Sequence, residues 1–198
     1  MIPGSVRRPV IAPTNRGESM CGDEIDIREA SLDDVDILAT IGSNSFRDAY
    51  QEHSNAEDLR THLEENFSAG AVRDEIEQHG WHYLLVSVNG RPGGIAKFRR
   101  AACPSGAPNI DAMELQQLYV LADMQRHGLG RCLVDAVRVR ADESEANGLW
   151  LSVWEDADWA IEFYQKCGFV EVDTTDFTVG STTYTDLLMW LPLMAGTD

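Results

Sequence analysis

The stretch Met113–Gly130, MELQQLYVLADMQRHGLG, constrains this chain more than any other, because it reads as a strand running through a glycine-bearing loop into a helix. Side chains in Glu114–Val120 alternate between the faces of a sheet, which puts Leu118 and Val120 with Glu114 and Gln116, and Leu115 and Tyr119 opposite. Past the loop, Leu129, Leu133, Ala136, Val137 and Ala141 recur at helical spacing, predicting a helix from near Leu129 to about Glu145. The first N–H groups of such a helix have no partner within it, and the helix dipole adds partial positive charge there. That end suits an anion.

Gly128 and Gly130 carry no Cβ, so a bulky anion can come within reach of the amides. Two nucleotide fingerprints fail here. Starting a Rossmann pattern at Gly128 places Leu133 where a third glycine belongs, and no Lys-Ser or Lys-Thr pair follows a glycine as a P-loop requires. A glycine-bearing helix start can also be a plain cap with no ligand. The six residues Gln125-Arg126-His127-Gly128-Leu129-Gly130 resemble the acetyl-CoA-binding motif of the GCN5-related N-acetyltransferases, Gln/Arg-x-x-Gly-x-Gly/Ala.

With 198 residues and 43% hydrophobic content, the chain suits one globular domain with apolar material enough for a core. No run is long and apolar enough to span a membrane. Residues 1–22 carry Arg7, Arg8 and Arg16 among prolines and glycines, lack the apolar core of a secretory signal, and read as a flexible leader; residues 23–198 read as the domain. Cys21, Cys103, Cys132 and Cys167 are scattered without metal spacing and read as reduced thiols of a cytoplasmic protein. A net charge of −17 argues against nucleic acid as a partner. It favours a cationic small molecule modestly, and equally fits an acidic surface that only maintains solubility. Arg126, His127 and Arg131 still form a locally positive loop able to receive a phosphate.

From the start of the domain, Ile25–Arg28 is a candidate strand, and Ser31-Leu-Asp-Asp34 a capping box for a helix with Val35, Leu38, Ala39, Ile41, Phe46 and Ala49 inward, to about Tyr50. Asn55 signals a second helix with Leu59, Leu63 and Phe67, and Ala71–His79 a weaker third. Trp81–Val88 and Gly94–Arg100 read as a hairpin about Asn89-Gly90, and Ala101–Asp111 as a loop. Asn147-Gly148 would close the long helix ahead of a strand Leu149–Trp154. Ala157–Cys167 follows as a helix stopped by Gly168. Phe169–Asp173 and Tyr184–Leu191 close the chain as two strands, joined through Gly180.

A second signature strengthens the resemblance: Ala160-Ile-Glu-Phe-Tyr164-Gln-Lys-Cys-Gly168-Phe169 is similar to the same family's A-x-x-F-Y-x-x-x-G-F. The likeness runs from Glu24 to Leu193. It implies an α/β fold of the GNAT acyltransferase type, a central mixed sheet of about six to seven strands flanked by helices. Ser45-Phe-Arg-Asp-Ala-Tyr50, Glu57-Asp-Leu59, His62-Leu63 and the ending Thr185-Asp-Leu-Leu-Met189 look more narrowly similar to the PaiA-like branch, whose members include polyamine acetyltransferases.

The resemblance implies transfer of an acetyl group from acetyl-CoA to a primary amine, with no metal, by direct attack between two partners held side by side. By the same likeness, the main chain of Leu118, Tyr119 and Val120 receives the pantetheine arm, and Gln125, Arg126, His127, Gly128, Leu129 and Gly130 receive the pyrophosphate with help from Arg131. An amine of lysine-like pKa costs about 4 to 5 kcal/mol to deprotonate at neutral pH, so a proton acceptor is expected. Glu114 stands at the family's general-base position, though a strand carboxylate there can be purely structural; Gln116 would orient substrate or water. Tyr164 stands where the family places the donor to the departing thiolate, and its other reading is a core tyrosine. Many relatives carry asparagine where this chain has Ala157, with Asp156 and Asp158 beside it.

Acceptor recognition is expected from the first two helices, their connection Gln51–Ser54 and the last hairpin. Glu52, Glu57 and Asp58 are candidates for a cationic amine, and Phe46, Tyr50 and Trp154 for its apolar part. Other readings are a peptide or protein N-terminal acetyltransferase and a non-catalytic acyl-CoA sensor. The family likeness also implies a homodimer through the last strands.

Overall fold

A computed structural model describes residues 23–51, 55–78, 80–104, 111–179 and 182–193. Strand β1 (Ile25–Glu29) leads to Ser31, whose hydroxyl accepts from the Asp33 amide while the Asp34 carboxylate accepts from the Ser31 amide. This reciprocal cap opens a 3-10 turn, Leu32–Asp34, which passes directly into α1 (Val35–Tyr50). Arg28 grips Asp34 through both guanidinium nitrogens, at 2.8 and 2.7 Å, and fixes the turn to β1. The Asn55 side chain accepts from the Glu57 amide at 2.8 Å and starts α2 (Ala56–Phe67); α3 (Ala69–Gln78) follows.

Strands β2 (His82–Val88) and β3 (Arg91–Arg100) join through Asn89 and Gly90, both at positive φ, the geometry of a tight hairpin turn. After β4 (Met113–Val120) come a 3-10 turn (Ala122–Met124), α4 (Leu129–Glu143), β5 (Gly148–Trp154), α5 (Asp158–Lys166), β6 (Val170–Val179) and β7 (Thr182–Pro192). The seven strands form one mixed sheet in the order β1-β2-β3-β4-β5-β7-β6. Only β4 and β5 pair in parallel. Helices α4 and α5 cover one face through Leu129, Leu133, Val134, Val137, Ala160 and Tyr164. Helices α1, α2 and α3 cover the other, packing Leu38, Phe46, Phe67 and Val72 on Tyr83, Leu85, Ile95 and Tyr119. None of the described helices is long and apolar enough to cross a membrane.

The faces of β4 differ from simple alternation. Lys97 of β3 lies opposite Gln117 and Phe98 opposite Leu115, so Gln116 is an extra residue, a bulge that reverses the parity of the strand. Leu115, Leu118 and Val120 consequently share the α4 face. Glu114, paired across the sheet with Arg99, lies on the opposite face with Tyr119, not with Leu118 and Val120 as alternation predicted.

Other boundaries also shift. Helix α4 ends without glycine: Glu145 takes the left-handed conformation (φ 58°), with Ala146 N–H bonded to Ala141 O and Glu145 N–H to Asp142 O. These two bonds make a Schellman motif. Gly148 lies instead inside β5, where a Cβ would come within 2.0 Å of the Trp190 ring; that close approach is why the residue is glycine. Strands β6 and β7 run further toward each other than expected, as their threonine-rich, β-branched tips allow. Gly180 and His79 lie outside the described residues.

Candidate active site

The pairing of β4 with β5 stops after two residue pairs, Met113 with Leu149 and Glu114 with Trp150. Beyond Glu114 the strands part, although β4 continues to Val120 and β5 to Trp154. Leu121 N–H bonds Gly93 O across β3 at 2.9 Å, so by strand alternation the N–H and C=O groups of Val120 and Leu118 point the other way, toward the splay. Val120 O already accepts from the side-chain amide of Gln125 at 3.0 Å. An extended, amide-bearing chain can use this open edge as a strand would.

At the end of the edge the loop turns through two left-handed residues, Arg126 (φ 68°) and Gly128 (φ 80°). Gly128 precedes α4 in open space: no atom would meet a Cβ there. The first intrahelical bond runs from Cys132 N–H to Gly128 O, which leaves the amides of Leu129, Gly130 and Arg131 without helical partners. Behind the loop Gly93 is closely covered; a Cβ would lie 2.4 Å from the Met124 sulfur. Arg126 is exposed and His127 half-buried. Arg131 does not turn into the loop. Its guanidinium bonds Asp135 at 2.9 Å and Lys166 O at 3.0 Å, running along α4 toward α5.

Tyr164 of α5 is fully buried, and its hydroxyl has no hydrogen-bond partner among the described residues. Tyr119 of β4 is in the same condition on the other face of the sheet. Burial raises the Tyr164 phenol well above its ordinary value, and Cys167, Tyr119 and Tyr50 add to the shift. Burial also raises the Cys167 thiol to about 11, against the pull of Arg131, so this cysteine remains a protonated core residue.

Glu114 is 3% exposed, and Arg99 Nε donates to its Oε2 at 3.1 Å. This carboxylate belongs to a larger polar group that sequence reasoning did not identify. The Arg99 guanidinium lies 4.1 Å from the Trp81 ring centroid, and Lys97 Nζ lies 4.4 Å from the same centroid. Lys97, only 2% exposed, pairs with Glu75 of α3, which also accepts from the Tyr83 hydroxyl at 2.5 Å. Burial lowers the Lys97 pKa, and Glu75 partly opposes the shift. One signal was visible in the sequence: Ile95, Lys97 and Arg99 share the parity of β3, which places two cations on an inward face.

The acceptor candidates scatter. Phe46 is a core residue, stacked on His62 at 4.5 Å, with Tyr50 buried beside it at 4.5 Å. Trp154 is half-buried at the end of β5, edge-on to Tyr184. Gln116 is half-buried at the bulge, Glu57 and Asp58 are exposed in the first turn of α2, and Glu52 lies outside the described residues. Ala157 is buried just ahead of α5 and offers no side-chain cap; Asp156 and Asp158 beside it are exposed. No group of three or more His, Cys, Asp or Glu among the described residues could hold a metal ion.

The model of the acetyltransferase (GNAT) family matches residues 43–169, well over half the chain. The protein belongs to this family of N-acetyltransferases. Among curated relatives, an uncharacterized N-acetyltransferase from the pepI 3' region of Lactobacillus delbrueckii subsp. lactis is 24% identical over 165 residues, covering 83% of this chain and 95% of its own. The PaiA N-acetyltransferase of Thermoplasma acidophilum, solved in complex with coenzyme A, superposes with a TM-score of 0.69 at 20% identity, covering 86% of this chain and 99% of its own. The ribosomal-protein-S18-alanine N-acetyltransferase of Escherichia coli gives 0.62 at 21%, covering 87% and 97%. These solved structures share the fold with this GNAT protein.

Proposed function

We propose that this GNAT protein transfers the acetyl group of acetyl-CoA to a primary amine of a small cationic acceptor of the polyamine kind. The observation that carries the reading is the parting of β4 from β5 immediately after Glu114, beside a buried Tyr164 hydroxyl on the α4–α5 face that has no hydrogen-bond partner among the described residues. The residues present fit an acyl-CoA. The open edge of Leu118 and Val120 suits its amide-bearing arm, and the amides following the left-handed Gly128 suit its diphosphate. Bound there, the co-substrate supplies the acyl group, and the chain's residues do the rest.

The β4 edge and the loop hold one partner while the α1–α3 face receives the other, removing much of the entropic cost of bringing them together. Glu114 accepts the ammonium proton, directly or through water, with Arg99 fixing the carboxylate against the sheet. Tyr164 donates a hydrogen bond to the departing sulfur as the N–C bond forms and the C–S bond breaks, and the second proton shed by the nitrogen neutralises the thiolate, directly or through water. A phenol held far above its ordinary value would give up its proton to a thiolate only uphill, so donation without full transfer is the role its burial favours. A cationic acceptor is supported by the net charge of −17, by exposed Glu57 and Asp58 at the head of α2, and by the PaiA-like residues of α1 and α2.

Ala157 favours a second reading, an acyl-CoA sensor without transfer, because it leaves the N-cap position of α5 with no side-chain hydrogen bond. Incubation with acetyl-CoA and a panel of amines, spermidine and peptides with free N-termini included, separates these readings by release of free CoA. Release with small polyamines is expected. Release only with peptides would move the acceptor class, and tight CoA binding without release from any amine would favour the sensor.

A further inference from the structure

Trp81 stands between the two ion pairs of the polar face. It immediately precedes β2, is 7% exposed, and its amide donates to Glu75 O at 3.3 Å, which ties it to α3. Two cations of β3 lie over its ring, the Arg99 guanidinium 4.1 Å and Lys97 Nζ 4.4 Å from the centroid. Each then takes its own carboxylate, Lys97 that of Glu75 and Arg99 that of Glu114. Charge alone does not dictate this sorting, because the Glu114 carboxylate acts on Lys97 as well. Among the described residues Arg99 makes one hydrogen bond to Glu114, through Nε at 3.1 Å, and one bond leaves a guanidinium able to swing about it. Burial does not hold it either, since 26% of the Arg99 side chain stays in solvent. The ring face supplies the missing constraint.

We propose that Trp81 is a positioning residue for Glu114, its ring holding the Arg99 guanidinium against that carboxylate and keeping Lys97 on Glu75. This rests on the reading of Glu114 as the proton acceptor and adds the residue that keeps it able to accept. Without the ring, the flexible stem of Lys97 can turn its ammonium onto Glu114. A carboxylate enclosed by two cations takes a proton from an incoming ammonium less readily. Indole suits the task because its face attracts cations more strongly than that of phenylalanine.

A double-mutant cycle of Trp81→Leu with Glu114→Gln, run with acetyl-CoA and the fastest amine of the panel above, tests the assignment. Trp81→Leu should lower kcat on the order of tenfold and leave the KM for acetyl-CoA within about twofold, and Trp81→Phe should recover part of the loss. In the Glu114→Gln background the same change should alter the residual rate by less than about twofold, because the group it acts through is gone. Nitrogen-15 NMR of the ligand-free protein gives a readout independent of turnover. The Arg99 Nε–H should exchange with water about tenfold faster in Trp81→Leu, and by an intermediate factor in Trp81→Phe. Should the leucine variant not fold, the phenylalanine variant carries both measurements with about threefold effects. Equal losses in both backgrounds, a loss confined to the KM for acetyl-CoA, or an unchanged Arg99 Nε–H would overturn the inference by showing a ring that only packs. A Glu114→Gln protein with wild-type turnover, or a wild type that acetylates no amine, would bring down the reading of Glu114 itself, and this inference with it.

Discussion

The two faces of β4 are built on different physics. Toward α4 and α5 the sheet presents Leu115, Leu118 and Val120 against an apolar core, and the groups left for a ligand on that side are main-chain amides. Toward α1, α2 and α3 the same sheet buries Glu114, Lys97 and Gln117; Lys97 and Arg99 both lie against Trp81, the first paired with Glu75 and the second with Glu114. An apolar face with a backbone grip depends on where the chain turns. A polar face depends on which side chains meet, and each of its charges is costly if a partner is lost. Binding of a common co-substrate suits the first, and choice of acceptor suits the second.

The largest expected effect falls on the α4–α5 face, at Tyr164. Tyr164→Phe should lower turnover on the order of 100-fold while CoA affinity stays within about threefold, since only the donor to the sulfur is lost. Steady-state kinetics beside calorimetry would show the split. A parallel fall in both would make Tyr164 a packing residue of that face.

Next comes the polar face itself. Lys97→Met strands Glu75 and should cost about 2–3 kcal/mol in urea unfolding. The figure lies below that of a fully enclosed pair because the Glu75 side chain keeps 20% of its surface in solvent. Adding Glu75→Leu should recover part of the loss, whereas Lys97→Met and Val134→Ala, on opposite faces, should add within about 0.5 kcal/mol. The pH dependence has a definite sign. Burial lowers the folded-state pKa of Lys97 below the ordinary 10.5, so between the two values the unfolded chain holds the extra proton and wild-type stability gains on the variant as pH rises. A difference that stays flat across that window would mean that Lys97 is not desolvated.

A smaller effect is expected on the backbone side. Gly128→Ala meets no neighbouring atom but forces a Cβ into the left-handed region, at about 1–2 kcal/mol. Because the loop can relax away from its anion-binding shape, most of that cost should appear as weaker CoA binding rather than as a lower melting temperature. The reverse partition would show the loop to be structural.

The same contrast explains what could be read from the residues alone. The α4 face was legible, because glycine placement and 3.6-residue periodicity are local signals: Leu129, Leu133, Val137 and Ala141 are buried as their spacing predicts. The cap at Asn55 and the Asn89-Gly90 turn were legible for the same reason. Glu114 was placed on the wrong face because a bulge at Gln116 reverses parity, and its cause lies in the register with β3, not in β4's own residues. The Lys97–Glu75 pair joins β3 to α3 across 22 positions, a contact that no periodicity contains. Arg131 was expected at the phosphate loop, but Asp135, one turn along the same helix, competes for it at 2.9 Å.

The central claim is that the open edge of β4 holds the arm of the co-substrate, and amide hydrogen exchange tests it most directly. On addition of CoA, the Leu118 and Val120 amides should become strongly protected together with those of Leu129 and Gly130, while amides of β6 and β7 exchange as before. If CoA binds and leaves the exchange of Leu118 and Val120 unchanged, the arm lies elsewhere and the account is contradicted.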